Sequence, residues 1–225
     1  MAAVLPGMKG REVGELFLRQ FIDLANLAPE EAVLEPGCGT GRMAQPLTRY
    51  LTGTYDGFDV VRETIEWCRK NIPQPNFRFR HVDVRNRFYN PEGALDPVEF
   101  EFPYPDKSFD FVFLTSVFTH MLPPEVEHYL TEIRRVLRGR CLATFFLLND
   151  QSLAAIRAGR ARHDFAHQGE GYRCNNLERP EKAVAYHEED VLGLLDRTGF
   201  ESKAIHYGQW AGNSGATGQD IVIAS

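Results

Sequence analysis

Gly37, Gly39 and Gly41 stand at alternate positions directly behind the apolar run Ala32–Glu35, whose one acid is Glu35. Glycine reaches positive backbone dihedrals and lets a ligand lie against bare backbone. A helix opening behind such a turn offers amides that hold a carboxylate or phosphate. The spacing is GxGxG rather than the GxGxxG of the dinucleotide fingerprint. A tight strand–helix turn with no ligand is the plain alternative. Two further acids bear on the choice. Asp59 ends a second apolar run about twenty residues after the glycines, where an acid accepts hydrogen bonds from ribose hydroxyls. Asp83, between Val82 and Val84, combines a carboxylate with an apolar wall, a combination that clasps an adenine amino group. Glu35 is placed to face a cationic ammonium group. Each acid alone reads as an ordinary turn residue. All of them at strand ends, where open α/β sheets bind ligands, point to a nucleoside-like ligand.

His120 follows the buried run at Phe109 and is the best candidate for a general base, because imidazole titrates near neutrality. The competing reading is a histidine that caps or packs the next helix. His187, His206 and Tyr207 are weaker candidates. His163 and His167, four apart around Asp164, have a spacing that holds a metal on a helix, but no third ligand is evident and no metal is expected. Phe88, Tyr89, Tyr104, Phe165, Tyr172 and Trp210 lie in irregular segments rich in arginine and glycine. Aromatic faces beside hydroxyl-bonding groups suit a sugar or another polar small molecule, with incidental surface aromatics as the alternative.

The elements that must position these residues alternate. Helical spacing covers Glu12–Leu27, Thr40–Leu51, Glu63–Asn71, Glu125–Leu137 and His187–Phe200. Strand patterns cover Ala32–Glu35, Thr54–Val60, Asn76–Val84, the run beginning at Phe109, and Arg140–Asn149. This order predicts a Rossmann-like α/β fold: a mostly parallel sheet with helices on both faces. The last two strands, "SKAIHYGQW" and "QDIVIAS", are joined only by the loop Ala211–Gly218, so the C-terminal strand is antiparallel. Two stretches break the rhythm, Arg85–Lys107 and Gln151–Tyr186. Irregular segments of that length are usually functional, and with Ala211–Gly218 they are expected to form a lid over an acceptor. One domain, 1–225, with substrate-side insertions near 85–107 and 151–186, accounts for the whole.

A net charge of −6 argues against a general nucleic-acid binder, which needs a basic face. Arg134, Arg135, Arg138 and Arg140 read as cations at a helix C-terminus. Arg157, Arg160 and Arg162 read as a solvated face or an anion contact. Cys38, Cys68, Cys141 and Cys174 form no CxxC pair, and three of them lie in apolar or glycine-rich contexts that suit buried thiols in a reducing compartment. With no signal-like N-terminus and no long apolar run, a cytoplasmic protein with no membrane partner is expected.

These motifs together resemble the class I S-adenosylmethionine-dependent methyltransferases. "VLEPGCGTGR" is similar to that family's first motif, "GFDV" to its ribose-binding acid and "HVDV" to its adenine-side acid. "FDFVFLTSVFTHM" and "YLTEIRRVLRGRCLATFFLLN" resemble the fourth strand, the following helix and the fifth strand. "VLRGRC" departs from the family by lacking an extra glycine and proline before the fifth strand. The resemblance implies S-adenosylmethionine as cofactor, held by Glu35, Gly37, Gly39, Thr40, Gly41, Arg42, Asp59, Val60, Asp83, Val84 and Thr115, and the position of His120 after the fourth strand makes it the catalytic candidate beside them. It implies methyl transfer to a small-molecule or sugar acceptor, most simply at oxygen, with a homodimer as the assembly considered. A nicotinamide-dependent oxidoreductase and a catalytically silent cofactor-binding module stay open as alternatives.

Overall fold

A computed structural model describes residues 10–225. In chain order the elements are α1 (Gly10–Asp23), β1 (Val33–Pro36), α2 (Ala44–Leu47), β2 (Tyr55–Asp59), α3 (Arg62–Asn71), β3 (Phe77–His81) and β4 (Phe109–Leu114). There follow α4 (Pro123–Val136), β5 (Leu137–Phe145), β6 (Leu147–Leu148), α5 (Asp150–Arg157), β7 (His167–Gly169), β8 (Tyr172–Cys174) and β9 (Val184–His187). The last are α6 (Glu188–Arg197), β10 (Ser202–His206) and β11 (Asp220–Ala224). One seven-stranded sheet has the order β10-β11-β5-β4-β1-β2-β3. Its pairs β4–β1, β1–β2 and β2–β3 are parallel, and β10–β11 is antiparallel. This is the Rossmann-like sheet expected from the alternating patterns. The chain clusters into two compact units, one built on residues 10–114 and 135–142, the other on 115–134 and 143–225. Among the described residues no helix is long and apolar enough to cross a membrane.

In the first unit, Val13, Phe17 and Phe21 recur every four residues on α1 and are buried. Phe21 packs its ring 4.3 Å from Phe113 and 5.5 Å from Phe111 of β4. Helical spacing over Thr40–Leu51 shrinks to the short α2. Gly41 has φ +67°, outside helical space, and Pro46 has no N–H with which to bond back to residue 42. β4 is buried at every residue but Asp110, whose carboxylate accepts both the Ala32 N–H and a paired bond from Arg138. Arg138 and Arg140 therefore do not decorate a helix end. Both lie on β5, and Arg140 forks onto Glu31. The departure at "VLRGRC" has a simple basis: α4 passes straight into β5, and a side chain at Gly139 would meet the Asp110 carbonyl at 2.0 Å.

The stretch Arg85–Lys107 forms no helix or strand beyond the isolated bridges Val84–Leu95 and Asn86–Asn90. Its second half is nevertheless core. Phe100 and Phe102 are buried, Phe102 meets Phe58 of β2 edge-on at 4.9 Å, and Arg135 bonds the Phe102 and Tyr104 carbonyls.

In the second unit, Gln151–Tyr186 is not irregular. It holds α5, capped reciprocally by Asn149 and Ser152, and β7–β9, which with β6 form a four-stranded sheet. Phe165 and Trp210 are buried in an apolar cluster with Phe146, Leu148 and Ala155, so these two aromatics are core and not an acceptor wall. Phe165 has φ +42°, a strained value for a bulky residue, and its N–H is held by Asn175 Oδ1 at 3.0 Å.

Candidate active site

The four parallel strands β3-β2-β1-β4 place their C-terminal ends along one edge, where such sheets bind ligands. The turn after β1 is tied down by the Gly37 and Cys38 N–H groups, which donate to the Phe58 carbonyl at 2.8 and 3.1 Å. Gly37, Gly39 and Gly41 all have positive φ. Two of them are needed for opposite reasons. A side chain at Gly39 would enter open space, so this backbone is bare to an approaching ligand. A side chain at Gly41 would strike Ile72 Cδ1 at 2.6 Å, so this glycine lets the turn close on the residues after α3.

Asp59 closes β2 and ties the turn to it. Its Oδ2 accepts the Gly39 N–H at 2.7 Å and its Oδ1 the Val61 N–H at 2.9 Å. Each carboxylate oxygen has a second lone pair, so the group can still accept two hydroxyls. Burial raises its pKa, against the pull of these N–H groups. Asp83 is exposed, and its Oδ1 accepts from Asn90 Nδ2 at 3.1 Å. Val84 beside it is buried.

Glu35 is buried on β1, and burial pushes its pKa up to about 8. The Tyr55 hydroxyl donates to its Oε2, and Arg42 also draws the pKa down, while Asp59 raises it. Neither Tyr55 nor Gly57 stood out in the sequence. The register sets Glu35 opposite Gly57, where any side chain would press on the Tyr55 hydroxyl at 2.8 Å and on Cys38. Reading the two strands in parallel register would have found the pair.

Bare backbone at Gly39, a carboxylate with spare acceptors at Asp59, an exposed acid at Asp83 beside an apolar wall, and a buried acid at Glu35 fit an adenosine carrying a cationic amino-acid tail. Residues 34–143 match the family model described as a methyltransferase domain. That region is a methyltransferase domain of the class I S-adenosylmethionine-dependent kind. S-adenosylmethionine is the cofactor of the family, and the nicotinamide alternative is set aside.

Two curated relatives are methyltransferases. The 27-O-demethylrifamycin SV methyltransferase of Amycolatopsis mediterranei is 34% identical over 131 residues, 56% of this chain and 43% of that protein. Methyltransferase GfsG of Streptomyces halstedii is 29% identical over 133 residues, 56% of this chain and 41% of that protein. The matched region thus spans less than half of either relative. A SAM-dependent methyltransferase from Methanosarcina mazei shares the fold, with TM-score 0.63 at 20% identity over 90% of this chain and 95% of that one.

Within this chain, Glu35, Gly37, Gly39, Thr40, Gly41, Arg42, Asp59, Val60, Asp83 and Val84 all lie in the unit of residues 10–114 and 135–142, whereas Thr115 and His120 lie in the other. Thr115 is buried directly after β4. His120 ends a 3-10 turn, Phe118–His120, and its Nδ1 lies 2.8 Å from the Glu181 carbonyl. A carbonyl only accepts, so Nδ1 carries the proton and Nε2 the lone pair. Burial lowers the imidazole pKa, and the Glu181 bond opposes that shift.

The other candidates fare differently. Tyr207 donates its hydroxyl to Glu188, and His187 precedes α6 without capping it through its side chain. His163 and His167 share no helix, since His167 opens β7. The His163 ring lies against Phe146 and Phe165, and its Nδ1 meets Asn175 Nδ2 at 2.9 Å. An amide nitrogen donates, so the Nδ1 lone pair of His163 is already used.

Proposed function

We propose that this chain transfers a methyl group from S-adenosylmethionine to an oxygen of a small-molecule or glycan acceptor, with His120 as the base. The bound cofactor supplies an activated sulfonium methyl, so the protein has mainly to align the acceptor and receive its proton. Asp59 would hold the ribose, Asp83 and Val84 the adenine, and Glu35 the cationic tail, with Thr40, Arg42, Val60 and Thr115 completing the clasp. The observation that carries the reading is the bond from His120 Nδ1 to the Glu181 carbonyl. It sets the tautomer whose Nε2 can accept a proton, and the lowered pKa keeps the ring neutral at pH 7. The rifamycin relative, named for methylation at an oxygen, supports the choice of atom.

The test is His120→Ala assayed against a panel of hydroxylated metabolites and glycans. Loss of a positioned base is expected to lower kcat by about 10²–10⁴ with S-adenosylmethionine affinity retained. In the parent, rate should rise with pH through an ionisation below the ordinary imidazole value of 6.5, and the variant should lack that limb. A folded variant with the parent's kcat and pH profile removes His120 from the mechanism. A chain that binds cofactor and methylates nothing in the panel is the silent module.

A further inference from the structure

A cavity of 760 Å³ opens among α1, α2 and α3. It shares Thr40 and Arg42 with the cofactor turn, but Glu35, Gly39, Asp59 and Asp83 do not line it. Its volume is that of a small-molecule site. Four of its residues call for a ligand of definite chemistry. Arg11 and Arg42 present positive charge, because Glu15, the carboxylate in the lining, is paired with Arg49. Arg42 bonds to no described residue, although burial is strong enough to lower its pKa. Gln74 Oε1 is buried and has no hydrogen-bond partner, a state that native proteins rarely leave unexplained. Trp67 adds a flat aromatic wall and is 42% exposed.

An anion answers the arginines, a donor answers Gln74, and a planar ring answers Trp67. We propose that this cavity binds a nucleotide, with phosphate against Arg11 and Arg42, the base stacked on Trp67, and a base N–H donating to Gln74 Oε1. Stacking of a base on an aromatic face and charge-assisted bonds from arginine to phosphate are the two strong contacts such a site uses.

The test is calorimetry of the full chain saturated with S-adenosylhomocysteine, so that the adenosine clasp is already filled. ADP is titrated alongside inorganic pyrophosphate and adenosine. One ADP per chain is expected, with pyrophosphate and adenosine each about tenfold weaker or more. Arg11→Ala and Trp67→Ala should each weaken ADP about tenfold. Both residues are on the surface, so melting temperature and S-adenosylhomocysteine affinity should hold. The proposal fails if ADP gives no heat on the saturated protein, or if it displaces S-adenosylhomocysteine and so belongs to the cofactor cleft. It also fails if pyrophosphate binds as well as ADP, the behaviour of a plain basic patch, or if both variants bind ADP like the parent. Retained S-adenosylhomocysteine binding in any of these outcomes leaves the cofactor assignment intact.

Discussion

Glu35 is a carboxyl that folding keeps protonated. Between its ordinary 4.5 and about 8 the folded chain holds a proton that the unfolded chain has released. Its contribution to stability is therefore full below pH 4.5, falls as pH rises through that window, and is gone above about 8. A cationic ligand tail reverses the preference by favouring the carboxylate. Affinity for S-adenosylmethionine should tighten, by up to tenfold per unit, as pH is raised from about 6 to about 8, then level off. Glu35→Gln should flatten the curve, and a flat parent curve would separate Glu35 from the ligand. Asp59 makes a simpler case. Asp59→Ala should weaken S-adenosylmethionine binding by about 1–3 kcal/mol, the worth of bonds to a charged group. Calorimetry in which the variant binds like the parent would overturn the ribose role, and NAD binding with no response to S-adenosylmethionine would overturn the cofactor assignment. The acids themselves were legible in the sequence because strand ends and glycines mark them. Their partners were not. The Tyr55 hydroxyl reaches Glu35 only through strand register, and the Glu181 contact to His120 is a backbone carbonyl, which any residue type supplies.

Long elements announced themselves and short ones did not. α1 and α4 repeat their buried positions over several turns, α3 and α6 bury one face of a ten-residue run, and β4 is apolar almost throughout, so pattern alone located them. The sheet β6-β9-β8-β7 escaped because its strands are two to four residues long, too brief for alternation to register. The polar, arginine-rich segment between them hid a core residue, Phe165, which is wholly buried. Its ring lies 5.3 Å from Phe146 and 5.5 Å from Trp210, both centroid to centroid. Phe165→Ala should cost about 3–5 kcal/mol of folding stability in chemical denaturation. Cofactor affinity of the folded variant should be unchanged, since Phe165 belongs to the small sheet's cluster. A loss well below that range would mean that relief of the left-handed backbone offsets the emptied space, and Phe165→Gly would then be the more stable of the two variants.

At the scale of the chain, β5 belongs to both units, with Leu137–Leu142 in one and Ala143–Phe145 in the other by residue number. A strand cannot be half formed without exposing unpaired ladder groups. We therefore expect residues 1–225 to unfold as one domain, in a single transition whose calorimetric and van't Hoff enthalpies agree. Two resolved transitions would make the units separate domains. The acidic net charge of −6 is compatible with small-molecule chemistry and leaves local positive charge, as around Arg11 and Arg42, to stand out against it.

The chain has two tryptophans, and they fall one to each unit. Trp210 is 2% exposed and donates its indole N–H to Asp220, while Trp67 is 42% exposed. A dry indole emits at shorter wavelength than a wet one, so the blue and red flanks of the emission band report on different halves of the protein without any added label. Heating the unmodified chain while recording both flanks asks each unit, in its own colour, when it lets go.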